Sequence, residues 1–125
     1  RVPLVEGAGV QVAEEILRRR VKLDGLVCAN DELALAIMRR LQDNGVRVPD
    51  DLAVVGWDDV PAARYITPGL TTVRQPIRDL ARLAVARLNA RVIGEQRPGG
   101  VEILPSQVVL RSSCGCAALR PTIIP

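Results

Sequence analysis

Short runs of consecutive apolar residues alternate along this chain with longer stretches in which apolar residues recur every three or four positions. The first kind predicts strands covered on both faces, the second amphipathic helices. Val10, Ala13, Ile16 and Leu17, with Glu14, Glu15, Arg18 and Arg19 between them, predict a helix over residues 10–20. Leu33, Ala34, Ile37, Met38 and Leu41 form the core stripe of a second helix over 31–44. Asn30 and Asp31 supply its N-terminal cap and Asn44-Gly45 its stop. A third helix begins at Pro76 and runs to Gly94, with Ile77, Leu80, Ala81, Ala84, Val85, Leu88 and Val92 on one face. Strands are predicted at 2–5, 25–29, 52–56, 71–73 and 107–111. From Ser112 onward, small residues and prolines read as a frayed tail.

Strands alternating with helices favour an α/β fold with a doubly wound, mostly parallel sheet and helices on both faces. Ligands of such folds sit outside the carboxyl ends of the strands. Two stretches place polar side chains there, Cys28-Ala29-Asn30-Asp31 and Gly56-Trp57-Asp58-Asp59.

Composition narrows the picture. The 125 residues suffice for one compact domain with a core, which Leu, Val, Ile and Ala must fill, because aromatics are 2% and Phe is absent. No stretch approaches the roughly 20 apolar residues of a membrane span, and no signal-peptide pattern opens the chain. The chain starts at Arg1 without a methionine and reads as a piece of a longer polypeptide. Net charge is +3 and the arginines are scattered over helix faces, so these residues carry no DNA-reading motif. Cys28 lies in an apolar run and reads as a small buried residue, whereas Cys114-Gly115-Cys116 lies in the tail. Without histidine, neither a metal nor another cofactor is expected.

Asp58 and Asp59 allow three chemistries. Paired acids can hold a divalent cation or do acid–base work. One carboxylate can instead accept two hydrogen bonds from neighbouring hydroxyls of a sugar or ribose, or both can cap the turn that follows. Trp57 suits a platform for a sugar face or a cover for the sheet edge. Asn30 suits a helix cap and, without conflict, an amide offered to a ligand. No phosphate-binding loop and no nucleophile elbow is present, so no enzyme activity is expected.

The stretches Asp24 to Leu88 and Leu104 to Ser113 contain Ala-Asn-Asp after a strand, Val-Pro-Asp-Asp before the next, Val-Val-Gly-Trp-Asp-Asp, and Leu-Thr-Thr-Val followed by Gln-Pro. In this order they resemble the C-terminal part of the effector-binding region of LacI/GalR-type transcriptional regulators. The resemblance implies a periplasmic-binding-protein-like type I fold in which two subdomains close on a small molecule, a sugar or a nucleobase. It implies effector contacts from Asn30 and Asp58, with Ile77 at the pocket floor, and a homodimer surface at Leu35, Met38 and Tyr65; Trp57 joins the effector contacts by its place beside Asp58. Residues 1–113 then form the effector-binding and dimerisation subdomain, with the helix at 76–93 packed on an N-terminal subdomain or a partner chain, and 114–125 form a flexible tail. Operator DNA would be met only through a helix-turn-helix upstream of Arg1, and the location would be the cytoplasm. Gly7-Ala8-Gly9 stands where the family carries an aromatic residue, and the family's effector-binding arginine falls before Arg1. The alternative of the same fold is a sugar-binding protein of a transport system.

Overall fold

The structure is a computed structural model that describes residues 7–20, 22–95, 100–116 and 122–124. The strand expected at 2–5 lies outside the described residues. Helix α1 spans Ala8–Arg19, strand β1 Gly25–Val27, α2 Asp31–Asp43, β2 Ala53–Trp57, β3 Thr71–Arg74, α3 Ile77–Val92, β4 Gln107–Leu110 and β5 Thr122–Ile124. The sheet order is β1-β2-β3-β4-β5. The first three strands are parallel and the last two pairings antiparallel.

Helix α2 forms where its sequence says it should. Asn30 Oδ1 accepts the Leu33 N–H at 2.9 Å, and Asp31 and Glu32 place negative charge against the positive end of the helix dipole. Its stripe of Ala34, Ile37, Met38 and Leu41 is fully buried over the sheet, together with Val54 of β2 and Leu70. Helix α1 packs on α2 unusually closely. A β-carbon on Gly9 would sit 2.6 Å from the Ala36 Cβ and 3.0 Å from the Leu33 carbonyl oxygen, so this crossing requires glycine.

Two expectations need correction. Strand β1 is the edge strand of the described sheet and exposes Val27, so it is not covered on both faces. Residues after Ser112 are not wholly a tail. Ser112–Cys114 make a 3-10 turn in which Ser113 is completely buried, and Thr122–Ile124 pair with β4. The Ser113 hydroxyl donates to the Val54 carbonyl at 2.6 Å and accepts the Thr71 N–H at 2.8 Å. One small side chain thereby stitches the chain's end to β2 and β3, a role that composition does not signal.

Helix α3 does not cover a face of the described sheet. Only Ala90 is buried in it, and Ile77, Val85, Leu88 and Val92 are exposed by more than half of their area. Its described side-chain anchor is Arg87, which donates to the Gly100 carbonyl and pairs with Glu102 at 2.7 Å.

Candidate ligand crevice at the carboxyl edge

Parallel pairing in register brings the carboxyl ends of β1, β2 and β3 to one edge: Val27 faces Val55, and Trp57 faces Val73. Asn30 follows β1, Trp57-Asp58-Asp59 end and follow β2, and Arg74-Gln75 end and follow β3. The carboxylates on this edge carry different loads.

Asp31 is completely buried. Its Oδ2 accepts the Val60 N–H at 2.8 Å and its Oδ1 the Thr72 hydroxyl at 2.5 Å. Burial pushes its carboxyl above the usual range, against those two hydrogen bonds. Asp31 is therefore a tie between the start of α2, the loop after β2 and the middle of β3. Gly56 permits it, because a β-carbon there would run into the Asp31 carboxylate and lie 2.9 Å from Leu70 Cδ2.

Asp58 and Asp59 are consecutive non-glycine residues with positive φ, 114° and 54°. Such backbone is tolerated by aspartate better than by most residues, yet it is strained and needs support. Asp59 receives the support. Its side chain is 2% exposed, with Oδ1 accepting from Arg111 at 2.5 Å and Oδ2 from Arg74 at 2.7 Å; Arg64 lies 3.7 Å away. Burial works against the charge, but the hydrogen bonds from Arg111 and Arg74 outweigh it and hold the carboxyl below its usual range. Arg111 also donates to the Leu70 carbonyl at 2.7 Å, so Asp59 is locked to the frame. Both Asp59 oxygens accept from guanidinium groups, and among the described residues no cluster of metal ligands forms.

Asp58 differs in every respect. It is exposed, its N–H is spent on the Val73 carbonyl at 2.8 Å, and its Oδ1 accepts only the Gln75 amide at 2.6 Å. A charged carboxylate with spare lone pairs, oriented by one neutral donor on rigid backbone, is the arrangement needed to receive paired hydroxyls. Beside it, Arg74, Gln75, Pro76 and Asp79 form one wall of a cleft of about 330 Å³, and Leu104, Pro105 and Gln107 form another.

Of the remaining sequence-predicted residues, Trp57 ends β2 and is 39% exposed, so its ring is available at the edge. Ile77 opens α3, directly after Pro76 of the cleft wall, and is exposed. Asn30 stands on the same edge, its Oδ1 occupied by the cap and its Nδ2 without a partner among the described residues. Tyr65 is almost fully exposed, and Leu35 is partly buried and packs against the core. Met38 is corrected: at 1% exposure it belongs to this chain's own core and offers no surface to a second copy. Its place on the inner face of α2 follows from the same helical spacing that buries Ala34 and Leu41. Sequence reasoning did not single out Arg74, Gln75 and Arg111. Only Gln75 left a signal, in the Gln-Pro pair.

An open, mixed sheet whose parallel strands end on a rim of Asn, Asp and Gln side chains places the chain in the class of α/β domains. The comparisons with known proteins agree. Residues 3–114 match the family described as "Periplasmic binding protein-like domain". The "HTH-type transcriptional repressor PurR" of Vibrio parahaemolyticus is 36% identical over 83% of this chain and 31% of its own length. The "Lactose operon repressor" of Rhizobium radiobacter is 36% identical over 84% of this chain and 92% of its own sequence. A LacI-type transcription regulator from Bifidobacterium animalis superposes with TM-score 0.81 at 39% identity, over 88% of this chain and 39% of that one. The transcriptional regulator CelR–cellobiose complex superposes with TM-score 0.82 at 33% identity, over 90% and 34%. The chain belongs to the periplasmic-binding-protein-like family in its LacI-type regulator branch. It spans about a third of the length of the Vibrio relative. These relatives are transcription regulators. Among the described residues no helix is long and apolar enough to cross a membrane.

Proposed function

We propose that this chain is the effector-sensing and dimerising part of a LacI-type transcription regulator that responds to a small molecule, in the first place a sugar. The observation that carries the reading is the division of labour between neighbours. Asp59 is bound by arginines, while Asp58 is exposed and bonded only by Gln75 at the carboxyl edge. In this reading Asp58 accepts two sugar hydroxyls, Asn30 donates its free Nδ2, Trp57 offers its ring to an apolar sugar face and Ile77 closes the floor. A neighbouring fold whose structure holds cellobiose supports a sugar over a nucleobase. The chain does no bond-making chemistry of its own, acts in the cytoplasm, and reaches operator DNA through a helix-turn-helix outside these residues. Effector binding favours one of two dimer states, and the difference in binding free energy between the states sets the operator response.

The test is a titration of monosaccharides, disaccharides and nucleobases against the protein that carries this chain, read by calorimetry and by thermal midpoint. One sugar is expected to bind and raise the midpoint by mass action. Binding by a nucleobase alone would overturn the sugar assignment, and no binding by either class would overturn the reading.

The α3 stripe is assigned to burial against a second subdomain or a partner chain, with Tyr65 and Leu35 at the dimer surface. Leaving Ile77, Val85, Leu88 and Val92 in water forfeits roughly 1.5–3 kcal/mol for each side chain. The 125-residue chain alone is therefore expected to self-associate, with a light-scattering mass above its 13.5 kDa. A monodisperse monomer with α3 still solvated would contradict this assignment.

A further inference from the structure

Gln75 is the residue that the Asp58 carboxylate and the cleft share. Its Nε2 donates to Asp58 Oδ1 at 2.6 Å, and the same side chain lines the cleft of about 330 Å³ with Arg74, Pro76 and Asp79. Its place is fixed from the strand. Arg74, the residue before it, ends β3 and holds Asp59 at 2.7 Å, so two consecutive residues of one strand end meet two consecutive residues of the next. A primary amide carries two donor hydrogens and a carbonyl acceptor. The bond to Asp58 uses one hydrogen, and the rest of the amide has no partner among the described residues. The charges around the cleft are unbalanced. Among the described lining residues the cation is Arg74, and its guanidinium is committed to Asp59. Asp79 lines the cleft 3.6 Å from Arg82, and Asp58 stands beside it.

We propose that Gln75 sets the ligand class of this site, selecting an uncharged sugar over a phosphorylated one, an assignment that rests on the sugar reading above. It holds Asp58 with one amide hydrogen and presents the remainder of a neutral amide to the cleft. A sugar hydroxyl both donates and accepts, so neighbouring hydroxyls of one ring satisfy Asp58 and the second Gln75 hydrogen together. An ionised phosphate only accepts. It can use that one Gln75 hydrogen, and it then lies against Asp58 and Asp79 while the Arg74 charge is spent on Asp59. Gln75 is also the positioning residue for Asp58. The exposed carboxylate has no other side-chain donor among the described residues, so losing the amide frees it to turn away from the ligand.

The test measures by calorimetry the binding of glucose, galactose, ribose and cellobiose, each beside its singly phosphorylated form, to the protein that carries this chain. An uncharged sugar is expected to bind at least about tenfold more tightly than its phosphorylated form, since like charges brought together are costly. This comparison needs no variant, so it stands whatever Gln75 contributes to folding. Gln75→Glu then separates positioning from a merely structural role. Beside Asp58 the new carboxyl should titrate above its usual range, because a neighbouring like charge opposes its ionisation. Protonated, it donates to Asp58 as the amide does; ionised, it repels it. Affinity for the sugar should therefore be retained near about pH 5 and fall about tenfold or more by about pH 8, while the unsubstituted protein stays flat. Failure of every sugar to bind the unsubstituted protein overturns the sugar reading and this assignment with it. An uncharged sugar that binds no better than its phosphorylated form, or a Gln75→Glu affinity independent of pH, overturns this assignment alone.

Discussion

Replacing Asp59 with alanine is expected to destabilise the fold by about 3–5 kcal/mol, the usual consequence of deleting one member of a buried ion pair. Arg111 is the reason. Its side chain is 9% exposed, and without Asp59 its guanidinium keeps only the Leu70 carbonyl as a partner in that pocket. The strained turn at Asp58 and Asp59 loses its anchor at the same time. Urea unfolding should show a lower midpoint with an unchanged slope; an unchanged midpoint would mean that the arginine cluster is ornamental. The effect also has a pH signature. The Asp59 carboxyl lies below its ordinary 3.8 when folded, so its contribution is present above that value and is lost as pH falls through the lowered one. Asp31 is shifted upward from 3.8 by burial and acts with the opposite sign, favouring the folded state in acid. Asp59→Asn should therefore flatten the acid limb of the stability profile.

Gly56→Ala is expected to cost about 3 kcal/mol, from overpacking and from weakened buried hydrogen bonds. The added methyl would press on Leu70 and on the Asp31 carboxylate, whose two bonds to Val60 and Thr72 set the loop that carries Asp58. A chemical midpoint within error of the parent would show that the edge can relax by more than the packing suggests.

The alternation of apolar runs with helical stripes made α2, β2 and β3 legible to within a residue or two, because each obeys one local rule. The carboxyl edge was legible as a place for the same reason: strand ends are visible in sequence. What each carboxylate does there was not. Asp31 looks like an ordinary first-turn residue until Thr72 and Val60 arrive from distant parts of the chain. Asp58 and Asp59 are chemically identical neighbours, and Arg74 and Arg111, the latter fifty-two positions beyond Asp59, separate their roles. Met38 stands in the core stripe by its spacing and was placed at the dimer surface only through the resemblance; its burial follows the spacing. Ser113 and β5 were read as tail because small residues carry no periodic signal.

The central claim, that Asp58 serves the ligand while Asp59 serves the frame, is tested most directly by measuring effector affinity and unfolding free energy on one variant, Asp58→Asn. Loss of charge-assisted hydrogen bonds worth about 1.5–3 kcal/mol should weaken binding by roughly 10- to 100-fold. The unfolding free energy should stay within about 0.5 kcal/mol of the parent, as for an exposed side chain. Unchanged affinity, or a loss of stability on the scale expected for Asp59→Ala, would contradict it.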